Sequence, residues 1–102
     1  MIHVIATIAV RPGTRPQFLE AFHKLVPLVQ AEAGCIEYGP AIDAKTDIDA
    51  QQQKGDDTVT VIEKWESVEA LNAHLAAPHM GEYRETVKDI VEGLTLHVLQ
   101  PG

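Results

Sequence analysis

Val61-Ile62-Glu63-Lys64-Trp65-Glu66-Ser67-Val68-Glu69-Ala70-Leu71-Asn72-Ala73-His74-Leu75-Ala76-Ala77-Pro78-His79-Met80 passes from a strand pattern to a helical one at Ser67. Before the serine the residues alternate, which is the period of a half-buried strand: Val59, Val61, Glu63 and Trp65 take one face, and Thr58, Thr60, Ile62 and Lys64 the other. After it, Ser67 is a helix N-cap, Val68, Leu71 and Leu75 form an apolar stripe, and Pro78 interrupts the run. A strand face carrying a carboxylate and an indole, followed by a helix that ends near two histidines, describes a small aromatic-lined pocket with a base.

Outward from this stretch, Ile2 to Val10 alternates as a strand that Arg11-Pro12-Gly13 ends. Thr14 stands three residues before Gln17, a capping-box spacing, and Phe18, Phe22, Leu25, Val26 and Val29 follow at helical intervals. Pro27 should kink this helix or end its regular part, and Gly34 is a natural stop. Cys35 to Asp43 forms a weaker strand with Ile36, Tyr38 and Ile42 on one face, where Gly39 and Pro40 point to an edge or a bulge. Ala44 to Asp57 is a polar, exposed hairpin connection with room for a short extra element. The spacing of Met80, Tyr83, Val87, Ile90 and Val91 predicts a further helix from His79 to Glu92, stopped by Gly93, and Leu94 to Gln100 is the last strand.

The resulting order, β-α-β-β-α-α-β, is an α+β fold of the ferredoxin-like split βαβ kind, with an antiparallel sheet and its helices on one face. A chain of 102 residues, 45% of them hydrophobic, is one domain spanning 1–102. The other sheet face would carry Ile5, Ile62 and Leu99, which calls for a cover, so two sheets should pack as a homodimer, a dimeric α/β barrel.

The formal net charge of −7 and the scattered Lys and Arg argue against nucleic acid and against an anionic membrane surface. No apolar run approaches the roughly 20 residues of a membrane helix. The beginning Met1-Ile2-His3 lacks the basic region and apolar core of a signal peptide, which makes the cytoplasm the expected compartment. The single cysteine, Cys35, allows neither an internal disulfide nor a Cys-rich metal site. Glycine-rich phosphate loops are absent. His74 and His79 are five apart with Pro78 between them, unlike the four-residue spacing that puts two ligands on one helical face, although a site assembled from distant residues stays open.

What remains is Glu63, Trp65, His74 and His79, joined through the expected fold by Tyr38, Met80, Tyr83 and Arg84. Each has a bland reading beside the functional one. Trp65 and Tyr38 serve equally as core aromatics or as surfaces for a planar ligand. Glu63 on an apolar face needs a partner, because burying a lone carboxylate is costly. His74 borders the apolar stripe and reads either as a satisfied structural imidazole or as a base that titrates near neutrality. His79 could equally start the next helix. Cys35 reads as a small packed residue rather than a nucleophile.

The chain also resembles the antibiotic-biosynthesis-monooxygenase (ABM) family from end to end. The resemblance rests on Val4-Ile5-Ala6, Arg11-Pro12-Gly13, Glu32-Ala33-Gly34-Cys35, Tyr38, the polar hairpin, Ile62 to Ser67, Ala73-His74-Leu75, Pro78-His79-Met80 and Leu99-Gln100-Pro101-Gly102. It is similar above all to the bacterial quinol monooxygenases that oxidise menadiol to menadione as dimers without flavin, haem or metal. That resemblance implies a quinol or quinone and molecular oxygen as the small-molecule partners. It implies His74 as the base and Glu63 as a group that orients a histidine or holds charge. Trp65 and Tyr38 would stack on the rings, with His79, Met80, Tyr83 and Arg84 completing the pocket. Haem-degrading relatives use an Asn on the first strand, and Thr7 and its neighbours offer none. Relatives that isomerise a phosphorylated quorum-sensing sugar share the paired histidines, so that chemistry stays open, as does a non-catalytic ligand-binding dimer of the stress-response type.

Overall fold

The computed structural model describes residues 1–102. The elements are β1 (Ile2–Val10), α1 (Arg15–Gln30), β2 (Cys35–Ala41), β3 (Thr58–Trp65), α2 (Val68–Leu75), α3 (Pro78–Val87) and β4 (Val91–Leu99). The four strands form one antiparallel sheet in the order β2-β3-β1-β4. This is the expected split βαβ topology.

Strand alternation decides which side chains meet the helices. Val59, Val61, Glu63 and Trp65 of β3 are all buried, and their β1 neighbours Val4, Ala6, Ile8 and Val10 are buried beside them. Phe18, Phe22, Leu25 and Val29 recur every three or four residues along α1 and cover this face. Burial of these side chains is the main term holding the layers together, at about 1.5–3 kcal/mol for each large one.

Several local expectations are corrected. Thr14 forms no capping box with Gln17; its hydroxyl instead donates to the Arg11 carbonyl at 2.6 Å. Helix α1 runs through Pro27 to Gln30. Pro27 and His23, one turn earlier, both lie on the solvent side, so the carbonyl left without a partner can be hydrated. β2 ends at Ala41 rather than Asp43, and within it only Tyr38 is buried; Ile36, and Ile42 beyond the strand, are exposed, because the strand is a sheet edge with a bulge between Cys35 and Glu37. The connection 42–57 forms no helix or strand; the Asp43 carboxylate closes it by accepting from Lys54 N and Gly55 N, each at 2.8 Å.

The last helix ends at Val87, five residues earlier than its apolar spacing predicts. Ile90 and Val91 continue the helical stripe in sequence, but Val91 pairs with Val10, the Arg11 amide bonds the Ile90 carbonyl, and Gly93 sits in the β1–β4 ladder opposite Ala9. Pairing with β1 outcompetes the extra helical turn. The apolar exposure also differs from expectation. Ile62 and Leu99 are exposed on the outer face, but Leu94, Leu96 and Val98 pair with Ile8, Ala6 and Val4 and so lie on the helix side, where no helix reaches them.

Gly34 fixes how closely α2 approaches the turn after α1. Its φ of 82° lies in the left-handed region, its carbonyl accepts from Glu66 N at 2.9 Å, and a Cβ there would stand 2.6 Å from Ala70 Cβ. Gly13 has a similar φ of 79° with open space around it. Gly34→Ala should therefore destabilise by about 3 kcal/mol, combining left-handed strain with a clash, and Gly13→Ala by about 1 kcal/mol from strain alone. Urea unfolding of both variants checks this; equal losses would mean that the close approach at Gly34 is unimportant.

Candidate active site

On β3, Glu63 and Trp65 are two residues apart and thus point the same way, into the layer between sheet and helices. Glu63 is 5% exposed and Trp65 fully buried. The indole Nε1 donates to Glu63 Oε1 at 2.9 Å, which gives the carboxyl the partner its burial demands. Burial still dominates: it pushes the Glu63 pKa up to about 7, with the Trp65 hydrogen bond pulling the other way and nearby Glu32 adding to the rise. With no exposed surface, Trp65 has no face to offer a ligand, so the expectation that it stacks on a ring gives way to a supporting contact with Glu63.

Ser67 caps α2 by accepting from Ala70 N, and this sets the rotation of the helix. The expected stripe is displaced by that rotation. Val68 and Leu75 are 47% and 37% exposed, whereas Leu71 and His74, one turn apart, are buried. His74 is therefore the centre of the inward face rather than its border. Its ring lies 4.7 Å from that of Trp65 and meets Tyr38 edge-on at 5.4 Å.

The group that orients His74 is Glu32. Its Oε2 lies 2.9 Å from His74 Nδ1 and 2.7 Å from His79 Nε2, so one carboxylate oxygen accepts from both rings. Glu63, expected to orient a histidine, makes its hydrogen bond to Trp65 instead. Sequence reasoning missed Glu32 as a site residue, although a signal was present. An acid just beyond the C-terminal end of a helix opposes the macrodipole, and the last turn of α1 has no basic residue to offset it. Such a placement is disfavoured unless something else binds the carboxylate.

With Nδ1–H donated to Glu32, neutral His74 carries its lone pair on Nε2. Nε2 has no protein partner, and no fully enclosed polar side-chain atom in the molecule lacks one, so Nε2 reaches the cavity that His74 lines. Burial lowers the His74 pKa, while the Glu32 hydrogen bond and charge oppose the change. The result is an uncharged imidazole with its acceptor nitrogen open.

The cavity has a volume of about 330 Å³. Six of the eight candidate residues line it: Tyr38, Glu63, His74, Met80, Tyr83 and Arg84. Ala6, Ile8 and Val61 form its floor on the sheet, and Leu94 and Leu96 extend one wall along β4. Tyr38 stacks on Phe22 at 5.5 Å, and Tyr83 packs edge-on against Phe22 at 5.7 Å. Burial raises both phenol pKa values, so they remain protonated. Arg84 bonds the Leu75 carbonyl at 3.0 Å and brings a cation to the rim. His79 lies outside this cavity and lines a groove of about 360 Å³ between α1 and α3. No three His, Cys, Asp or Glu side chains are placed to hold a metal ion. Burial and neighbouring Glu32 and Glu63 raise the Cys35 thiol pKa, which fits a packed residue rather than a nucleophile.

Residues 1–86 match the family model for "Antibiotic biosynthesis monooxygenase". The chain is 42% identical over 104 residues to the Escherichia coli K12 protein named "Probable quinol monooxygenase YgiN", covering 100% of this chain and 99% of that one. Among solved structures it is similar to Rv0793 from Mycobacterium tuberculosis, with 25% identity and a TM-score of 0.79 over 98% of this chain and 93% of that one. It is also similar to PA3566 from Pseudomonas aeruginosa, with 23% identity and a TM-score of 0.80 over 98% and 92% respectively. The second likeness speaks for the fold alone.

Because the folded-state pKa of Glu63 is raised from 4.5 to about 7, its contribution to stability is fully present below pH 4.5 and lost as pH rises through 7. Glu63→Gln keeps an oxygen for the Trp65 indole and removes the ionisation. The variant should match the parent at pH 4.5 to within about 1 kcal/mol and exceed it at pH 8.5 by up to about 3 kcal/mol. Denaturation curves at the two pH values test this, and a stability difference independent of pH would refute it.

Proposed function

Because the chain belongs to the antibiotic biosynthesis monooxygenase family, we propose that it is a cytoplasmic quinol monooxygenase. It oxidises a small hydroquinone or naphthoquinol of the menadiol type with molecular oxygen, without flavin, haem or metal. The observation that carries this reading is the His74 imidazole, held through Nδ1 by Glu32 and presenting Nε2 to a predominantly apolar cavity. The name of the 42% identical relative supports the substrate class.

A hydroquinone can be its own reductant once it is an anion. In the proposed sequence His74 Nε2 takes the phenolic proton, the O–H electron pair stays on the substrate oxygen, and the phenolate passes an electron to oxygen in the same cavity. Arg84 at the rim favours the developing negative charge. Glu63, titrating near neutrality, meets the second substrate oxygen as donor when protonated and as acceptor when ionised. Tyr38, Tyr83 and Met80 pack against the rings, and the apolar walls keep water from the radical pair.

One observation favours the sugar-phosphate isomerase reading: Arg84 and Lys88 both line the cavity. The mainly apolar lining and the Glu63 carboxyl favour a flat aromatic over a phosphate dianion. A non-catalytic dimer would bind quinol stoichiometrically without consuming oxygen.

Dimerisation belongs to the same reading. Leu94, Leu96 and Val98 on the helix side of β4, and Ile62 and Leu99 on the outer face, are 40–63% exposed. This is apolar surface of the kind a second copy covers. Light scattering should give twice the chain mass of 11.2 kDa; a monomer at micromolar concentration would remove the dimer from the proposal.

His74→Gln preserves size and polarity but removes the base. Quinol-dependent oxygen uptake should fall by roughly 10²–10⁴-fold with folding unchanged. His79→Gln should lower the maximal rate far less. Parental activity in folded His74→Gln would move the base to another group, and absence of oxygen uptake by the parent across a quinol panel would reject the monooxygenase itself.

A further inference from the structure

The hydrogen bonds of Glu32 connect the cavity with the neighbouring groove between α1 and α3. Its Oε2 joins His74, whose side chain is 2% exposed, to His79, whose side chain is 24% exposed and lines the groove between α1 and α3. The two rings thus compete for one carboxylate from very different solvent environments. An imidazolium is more easily accommodated where water reaches it, and of the two rings only that of His79 is open to solvent. His79 has no contact with the cavity and therefore no reason to touch substrate.

We propose that His79 is a positioning residue that sets the basicity of His74 through Glu32, and that it serves as the groove-side port where this three-residue unit exchanges protons with solvent while a ligand fills the cavity. The proposal rests on His74 being the base. When His74 Nε2 takes a phenolic proton, one O–H bond breaks and one N–H bond forms, and the unit would gain a positive charge. Release of the Nδ1 proton of His79 to water in the groove cancels that gain, and no proton has to cross Glu32. When His74 later gives its proton back to the cavity, His79 recovers one from the groove.

Other charges face the unit from each packed element. On the groove side these are Glu20 and Lys24 of α1 and Glu82 of α3, with the Tyr83 phenol beside them. On the cavity side they are Glu63 of β3, Arg84 of α3 and Lys88 just beyond that helix, with Tyr38 and Cys35 of β2 nearby. Only Glu32 bonds both imidazoles, which is why coupling should pass through it.

The test is a side-chain NMR titration of His74 in the ligand-free protein, comparing the parent with His79→Gln and Glu32→Gln. The amide introduced by His79→Gln can still donate to Glu32, so a merely structural role would survive that change while the charge would not. Loss of the His79 cation should make His74 titrate at higher pH. Loss of the Glu32 carboxylate should make it titrate at lower pH. In turnover, His79→Gln should keep its alkaline plateau to within about twofold and lose roughly threefold or more on the acid limb, because more His74 is protonated there. An unmoved His74 titration in folded His79→Gln, or shifts of the same sign in both variants, would overturn the proposal. The titration needs no substrate, so it decides whether His79 sets the basicity of His74 even if quinol oxidation fails.

Discussion

A single carboxylate oxygen, Oε2 of Glu32, accepts from two imidazoles that lie 42 and 47 residues further along the chain. The bond fixes the end of α1 against both α2 and α3. It also decides which nitrogen of His74 is free. Without it the buried ring would have no partner for Nδ1, and an unsatisfied buried polar atom costs about 1–3 kcal/mol. The close approach at Gly34 and the Ser67 cap bring α2 to where this bond can form.

Two carboxyl groups at one site are thereby given different work by their surroundings. Glu32 meets two N–H donors near the surface, an arrangement suited to an anion. Glu63 meets one indole N–H inside the layer, and desolvation lifts its pKa towards neutrality. Trp65 contributes by being sealed: its indole holds Glu63 from beneath while the ring supports His74, and cavity contact is left to Tyr38, Tyr83 and Met80.

Much of the site was legible because strand alternation is local. Glu63 and Trp65 on the buried face of β3 followed from counting by two, and Tyr38, Met80, Tyr83 and Arg84 followed from the expected topology. The helical parts were less legible. An eight-residue helix such as α2 offers too few apolar positions to define its rotation: Leu71 faces inward as its stripe predicts, but its inward companion is His74 rather than Val68 and Leu75. The end of α3 was misplaced because Ile90 and Val91 fit a helical stripe and a strand equally well, and only the ladder with β1 selects the strand.

The sequence by itself determined the order of elements, the buried face of the sheet and the carboxylate in the core, since each depends on residues near one another in the chain. The tertiary structure alone decided which acid orients His74, that Trp65 is sealed from the cavity, and that His79 opens to a different groove. The physical reason is that hydrogen-bond partners and solvent access depend on distances between elements far apart in sequence. A periodic pattern specifies the face a residue takes, and the packing of that face against the rest of the chain specifies what the residue meets.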